Sequence, residues 1–215
     1  MGFIVVGLIG VLDRARRILM AWVNLPTLSF ILLAAAAGGI LLLRDWRWML
    51  AILAGLYIGV FLLVATYWPV SMAIIKLVVG WMAAAALAIT QLNQKETREE
   101  HSWPSGIFFR LLAVVLVFLV TLSLAPRVVV WLPGNVTLPV VEASIILMML
   151  GLLHLGMTAQ PLRVIVGLLT VLAGFEILFA AVEDSILVAG LLAVINLGLA
   201  LVGVYILSSS GEARE

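Results

Sequence analysis

The sequence contains no cysteine and only two histidines, His101 and His154. Without cysteine the chain cannot form disulfides, thiolate-ligated iron–sulfur clusters or a cysteine nucleophile. Two histidines are too few for a haem or zinc site held by several imidazoles. The net charge of +1 gives no indication of a nucleic-acid partner. We therefore expect no metal and no cofactor on this chain, and any redox chemistry would take place in a partner.

Charge is also scarce. Charged residues make up 11% of the 215 residues, whereas 65% are hydrophobic. An average soluble domain is about 25% charged and about 45–50% apolar. A soluble protein of this size could not hide so much apolar surface, because much of any folded chain still faces water. The composition excludes a soluble enzyme, a disordered chain and a secreted disulfide scaffold, and it indicates a polytopic membrane protein.

Seven apolar segments are long enough to cross a bilayer, which takes about 20 mostly apolar residues. They are residues 26–43, 48–67, 70–90, 107–125, 139–157, 163–182 and 185–207. Membrane β-strands would be about half as long and would alternate in polarity. The pattern therefore predicts an all-α transmembrane bundle of about seven helices, with three in residues 26–90 and four in residues 107–207.

The regions between and around these segments are short. Residues 1–25 begin with an apolar run too short to span, followed by several arginines, and they predict an amphipathic helix lying in the membrane interface. A tilted extra span is the alternative. Residues 91–106 predict a polar loop, residues 126–138 a second loop, and residues 208–215 a frayed polar tail. The distribution of lysine and arginine places the 91–106 loop and the C-terminus in the cytoplasm.

Three charged residues lie within the predicted spans: Lys76, Glu142 and Glu176. A charge at the bilayer centre costs about 2.5–3.5 kcal/mol on insertion scales, so each needs a reason. Lys76 lies near the start of its span and Glu176 near the end of its own, each about 9 Å from the same side of the membrane. We therefore expect an intramembrane ion pair or a proton-exchanging pair. Arg110, one turn into its span, is expected to snorkel to the surface.

Simpler roles for these residues stay open. Lys76 could also snorkel, and Glu142 in a first helical turn would favour the helix dipole. Glu176 could serve only as a structural partner. His154 is expected to be a hydrogen-bonded packing residue, although its titration range would suit a proton relay if water reached it. Asn196 is expected to bond a neighbouring helix.

The last three spans resemble a known family. Pro161, Leu162, Arg163 and Gly167 fit the turn and helix start of complex I subunit K, and residues 198–201, GLAL, fit its final helix. The chain resembles component E of hydrogenase-4 more closely, since those subunits have further helices and an intramembrane lysine, as Lys76 has in AIIKLVV. The resemblance is strongest over residues 144–207, and it implies a prokaryotic plasma membrane.

One departure from the family concerns the proton path. The family's glutamate follows the glycine that matches Gly167 by a few residues, where this chain has Leu169 and Leu172. Glu176 comes one or two turns later on about the same face. The second helix glutamate of subunit K has no match, since Val194 or a neighbour stands there. The resemblance therefore supports the predicted fold better than it supports a predicted proton path.

Together these features predict a non-catalytic membrane subunit of a redox-driven proton- or ion-translocating complex, with other membrane subunits and lipid as partners. Glu176 would be the central acid, Lys76 would favour its ionised form, and Glu142 and His154 would be further stations. One alternative is a scaffold that fills a place in a membrane assembly without conducting ions. The other is a small stand-alone transporter, although the spans lack the mid-helix interruptions of many transporters.

Overall fold

The structure, a computed structural model, describes residues 25–43, 45–93, 106–183 and 185–212. These residues form seven helices: α1 (Leu25–Leu42), α2 (Trp46–Tyr67), α3 (Val70–Asn93), α4 (Ile107–Trp131), α5 (Leu138–Gly156), α6 (Pro161–Val182) and α7 (Ile186–Glu212). The predicted interfacial helix of residues 1–25 and most of the predicted 91–106 loop lie outside the described residues.

The predicted all-α bundle is confirmed for this part of the chain. Helices α2 to α7 are each long and apolar enough to cross a membrane. Helix α1 is shorter, with 18 residues, and a rise of 1.5 Å per residue gives it about 27 Å. That length is close to the hydrocarbon thickness of about 30 Å. The chain is therefore an integral multi-pass membrane protein.

Two predicted boundaries are wrong, and both helices are longer than expected. Helix α4 continues through Pro126 to Trp131, because membrane helices tolerate proline where neighbouring groups satisfy the freed carbonyl. The chain turns only at Gly134, whose φ of +84° suits glycine. Helix α7 runs to Glu212, so most of the predicted tail is helical. The hydroxyl of Ser208 bonds back to its own helix at Val204 O, which satisfies it there.

Six of the seven described helices form a closed ring of contacts, and α2 and α6 also touch across it. Around the ring the order of contact is α1, α2, α3, α7, α6, α5 and back to α1. Helix α4 packs outside, mainly on α5. The α5–α6 contact is the closest, since a Cβ at Gly151 or Gly174 would lie within 3.0 Å of the opposite backbone. Small residues permit this approach in membrane helices.

The outer surface of the bundle is apolar. Helix α4 shows this best, because only Arg110, Thr121 and Ala125 of its 25 residues are buried. Large side chains such as Phe108 and Leu116 point outward and are at least 60% exposed. An apolar surface of this extent needs hydrocarbon around it. The polar side chains that could form a functional site are therefore the few that face the interior of the bundle.

Candidate functional site: a buried ion pair and its polar neighbours

Lys76 and Glu176 form an ion pair inside the bundle. The Nζ of Lys76 lies 2.7 Å from Oε1 of Glu176, and the two side chains are 2% and 0% exposed. The ammonium also donates to the backbone carbonyl of Ala189, at 3.4 Å. The predicted ion pair is confirmed, and snorkelling of Lys76 to the surface is wrong. The role of the Lys76–Glu176 pair in proton transfer stays a prediction.

The helix order explains why these two residues meet. Lys76 is six residues from the start of α3 and Glu176 is six residues from the end of α6. Both positions are therefore about 9 Å from the same end of the bundle. Helices α3 and α6 each pack on α2 and on α7, so the pair lies at the centre of these four helices. Its low exposure follows from that position.

Tyr57 and Asn196 form a second buried contact beside the pair. The Tyr57 hydroxyl donates to Oδ1 of Asn196 at 3.1 Å, and both residues are fully buried. The prediction that Asn196 bonds a neighbouring helix is confirmed. Tyr57 was not predicted. The feature of the sequence that could have revealed Tyr57 is its position. It is ten residues from the end of α2, well inside a span, whereas tyrosines of the aromatic belt lie at the interface.

The two contacts are electrostatically linked. Asn196 and Tyr57 both lie near enough to the Glu176 carboxylate to act on its charge. Even so, Oε2 of Glu176 and Nδ2 of Asn196 are buried with no hydrogen bond of good geometry. Buried polar atoms are normally satisfied, so each such atom needs an explanation. We call Tyr57, Lys76, Glu176 and Asn196 the inner network.

The opposite end of the bundle holds a different group, the basic cluster of Arg110, His154 and Arg163. Arg110 donates to the Leu41 carbonyl at 3.4 Å, and Arg163 donates to the Leu43 carbonyl at 3.1 Å. These carbonyls lie at the C-terminal end of α1, where a helix favours positive charge. Both arginines are buried, so the expected snorkelling of Arg110 is wrong. The carbonyls at the end of α1 supply acceptors inside the bundle.

His154 lies with the basic cluster and not with the ion pair. It is 3% exposed, and its ring hydrogen-bonds to the backbone of Arg163. Its Nε2 has no hydrogen-bond partner. The expected role as a hydrogen-bonded packing residue fits this geometry. A role in proton relay stays a prediction, and the position at the end of α5 puts His154 far along the bundle from Glu176.

Glu142 stands apart from both groups. It is half-buried, and in the described structure it makes no hydrogen bond or ion pair. It is the fifth residue of α5 and lies just beyond the first turn, so the expected favourable effect of the helix dipole is weakened. Of the four predicted site residues, the structure therefore brings together only Lys76 and Glu176.

Two aromatic residues tie the loops at the end of the bundle nearest the ion pair. Trp68 donates from Nε1 to the Glu183 carbonyl at 3.0 Å, and the Tyr67 hydroxyl accepts from the Thr137 amide at 3.1 Å. Trp68 is 2% exposed, so it packs inside the bundle. These contacts link the ends of α2, α6 and the α4–α5 connection.

No family model, no curated protein and no solved structure matches this chain. Among the described residues, no three His, Cys, Asp or Glu side chains come together as metal ligands would. The resemblance to complex I subunit K and hydrogenase-4 component E therefore stays a prediction, and the functional argument depends on the geometry of the inner network.

Proposed function

We propose that this chain is a membrane subunit of a redox-driven, proton-translocating complex, and that the Lys76–Glu176 pair is its proton-exchange site. The observation that carries the proposal is the pair itself, an acid and a base 2.7 Å apart in the bundle interior. Such a pair can exist as ammonium and carboxylate or, after proton transfer, as two neutral groups.

The energetics of burial support a functional role for the pair. Replacing a buried ion pair by well-packed apolar residues is often neutral or stabilising by about 1–4 kcal/mol. Stability alone therefore gives no reason to keep two charges inside a membrane bundle. Ionisable residues at such positions are typical of ion pathways and proton relays. The resemblance of residues 144–207 to proton-translocating subunits points in the same direction.

The decisive experiment begins with the native complex. A tagged chain is purified from its own membrane in mild detergent, and the co-purifying subunits are identified by mass spectrometry. Partners of an oxidoreductase are expected. Proton uptake is then measured in membrane vesicles supplied with the electron donor of that complex. Glu176→Gln is expected to lower the protons moved per electron while the same partners still co-purify. Unchanged pumping in this variant would remove Glu176 from the path.

Glu142→Gln is the matched control, because Glu142 is an intramembrane acid outside the inner network. If the path runs only through the inner network, Glu142→Gln leaves pumping unchanged, whereas a loss in both variants would support the predicted role of Glu142 as a further station. A loss of pumping in Glu142→Gln but not in Glu176→Gln would move the path to α5. A purified chain without partners would contradict the proposal altogether.

A scaffold role is the competing proposal, and the structure offers one observation in its favour. The ion pair joins α3 to α6, and so it fastens the first three helices to the last three. If this is its whole role, exchanging the two residues (Lys76→Glu with Glu176→Lys) should restore the assembly that either single change abolishes, and pumping should return with it. Restored assembly without pumping would favour the proton-exchange site.

A further inference from the structure

The Tyr57 hydroxyl binds one end of the Asn196 amide and leaves the other end for Glu176. An amide side chain has one accepting oxygen and one donating nitrogen. Tyr57 donates to the oxygen, which leaves the nitrogen on the opposite side of the amide, buried and without a partner, near Glu176. With the amide reversed, its oxygen would face the carboxylate and two acceptors would meet. A tyrosine hydroxyl can donate or accept, so the carboxylate favours this orientation of the amide, and the donation from Tyr57 to Oδ1 holds it there.

We infer that Tyr57 and Asn196 are positioning residues for Glu176, in which Tyr57 holds the Asn196 amide so that its NH₂ group serves the carboxylate oxygen that Lys76 leaves unbound. The inference rests on the proposed function of Glu176 and adds how that function works. Lys76 binds Oε1, while Oε2 and Nδ2 are a buried acceptor and a buried donor without other partners. A hydrogen bond between these two atoms gives the carboxylate a second donor besides Lys76.

Tyr57 is held firmly enough to set this orientation. Its ring lies against the backbone of Gly80, where an added Cβ would overlap the ring. Gly80 is one helical turn from Lys76 on α3. Tyr57 and Asn196 are each ten residues from a helix end, or about 15 Å, so they lie nearer the middle of the bundle than Glu176 does. Tyr57 and Asn196 therefore bound the surroundings of Glu176 on the side that faces the middle of the bundle.

Few other groups face Glu176. Helix α3 contributes Lys76, α7 contributes Asn196 and α2 contributes Tyr57, whereas no charged group of α5 acts on the carboxylate. The polar contact from α5 is the Ser144 hydroxyl, which donates to the Gly174 carbonyl. Within the described residues, Lys76 and Asn196 are thus the donors that stabilise an ionised Glu176.

The test is an infrared titration of the full-length chain in lipid nanodiscs. The carbonyl band of the protonated Glu176 carboxyl is assigned by its loss in Glu176→Gln. Tyr57→Phe, which removes only a hydroxyl, and Asn196→Leu are expected to raise the ratio of protonated to ionised Glu176 at fixed pH about tenfold. A tenfold change in that ratio corresponds to about 1.4 kcal/mol, which is close to the contribution of a hydrogen bond to a charged group.

Tyr67→Phe is the matched control, since it removes a tyrosine hydroxyl from the same helix at the contact with Thr137. It should titrate like the wild type. A positioning role also requires that Tyr57→Phe add nothing in the Asn196→Leu background.

A wild-type titration in Tyr57→Phe, additive effects in the double variant, or a Glu176 band absent from every variant would overturn the inference. The two proposals fail separately. Unchanged pumping in Glu176→Gln rejects the proposed function, whereas an unchanged infrared titration in Tyr57→Phe rejects only the positioning role.

Discussion

The two polar regions of this bundle satisfy their charges in different ways. In the inner network a lysine is paired with a glutamate side chain. In the basic cluster, Arg110 and Arg163 donate to the backbone carbonyls of Leu41 and Leu43 at the end of α1. A carboxylate can take up a proton and lose its charge, whereas a backbone carbonyl is a permanent acceptor and arginine stays charged in proteins. The first arrangement can therefore switch, and the second acts as a fixed anchor.

The largest effect is expected from separating the ion pair. Lys76→Met leaves a buried carboxylate without its partner, and such changes destabilise by about 3–5 kcal/mol. The double change Lys76→Met with Glu176→Leu should recover most of that loss, because no buried charge is left. The free energy of unfolding is measured by denaturant titration in micelles. A loss in the double variant equal to the sum of the losses in Lys76→Met and Glu176→Leu alone would show that the pair contributes no coupling.

The anchor at the other end should respond differently. Arg163→Leu removes donors to Leu43 O and to Gln160 Oε1 and should destabilise by about 2 kcal/mol. Arg163→Lys should restore little, because the ammonium lacks the planar fork of the guanidinium. The same unfolding titration measures both. Arg127→Leu is the control, since Arg127 is exposed on α4 and should change stability by less than about 0.5 kcal/mol.

A smaller effect is expected from crowding Tyr57. A methyl group at Gly80 overlaps the Tyr57 ring, so Gly80→Ala should cost about 1–3 kcal/mol, as overpacking does. Gly198→Ala on α7 should cost nothing, because no atom lies within 4 Å of the added Cβ. Thermal unfolding of both variants in the same lipid gives the comparison. Equal melting temperatures would mean that Tyr57 can move aside freely.

The smallest effect is expected from a hydrogen bond that belongs to neither polar region. The Ser144 hydroxyl donates to the Gly174 carbonyl at 2.6 Å and joins α5 to α6. Ser144→Ala should cost about 0.6 kcal/mol, the average for such bonds between membrane helices. Ser208→Ala, which removes a bond within α7, serves as the reference. A Ser144→Ala loss above 2 kcal/mol would place Ser144 among the anchoring contacts.

The sequence predicted the ion pair because depth along a helix follows from counting residues. Helical rise is constant, so the positions of Lys76 and Glu176 within their spans gave a common depth before any packing was known. The same reasoning located the spans, since apolar length alone decides which segments cross the bilayer. The ends of α4 and α7 were misjudged, the first because Pro126 normally ends a helix in water but not in lipid.

Side-chain direction was harder to predict. Arg110 was expected to reach outward, but the carbonyls at the end of α1 offered acceptors that only the packing of α1 beside α4 brings within reach. Tyr57 was counted among the apolar residues, although its hydroxyl is what contacts Asn196. In both cases the partner lies on a helix distant in sequence, and no local pattern reveals it.

The ion pair also has a consequence for how the chain is made. Its two residues are 100 positions apart, and chains grow at about 5–20 residues per second. Lys76 is therefore synthesised about 5–20 seconds before Glu176 exists. During that interval α3 has its apolar side chains to favour the bilayer but no partner for the charge of Lys76. Neutralisation of the Lys76 charge therefore waits for the synthesis of α6.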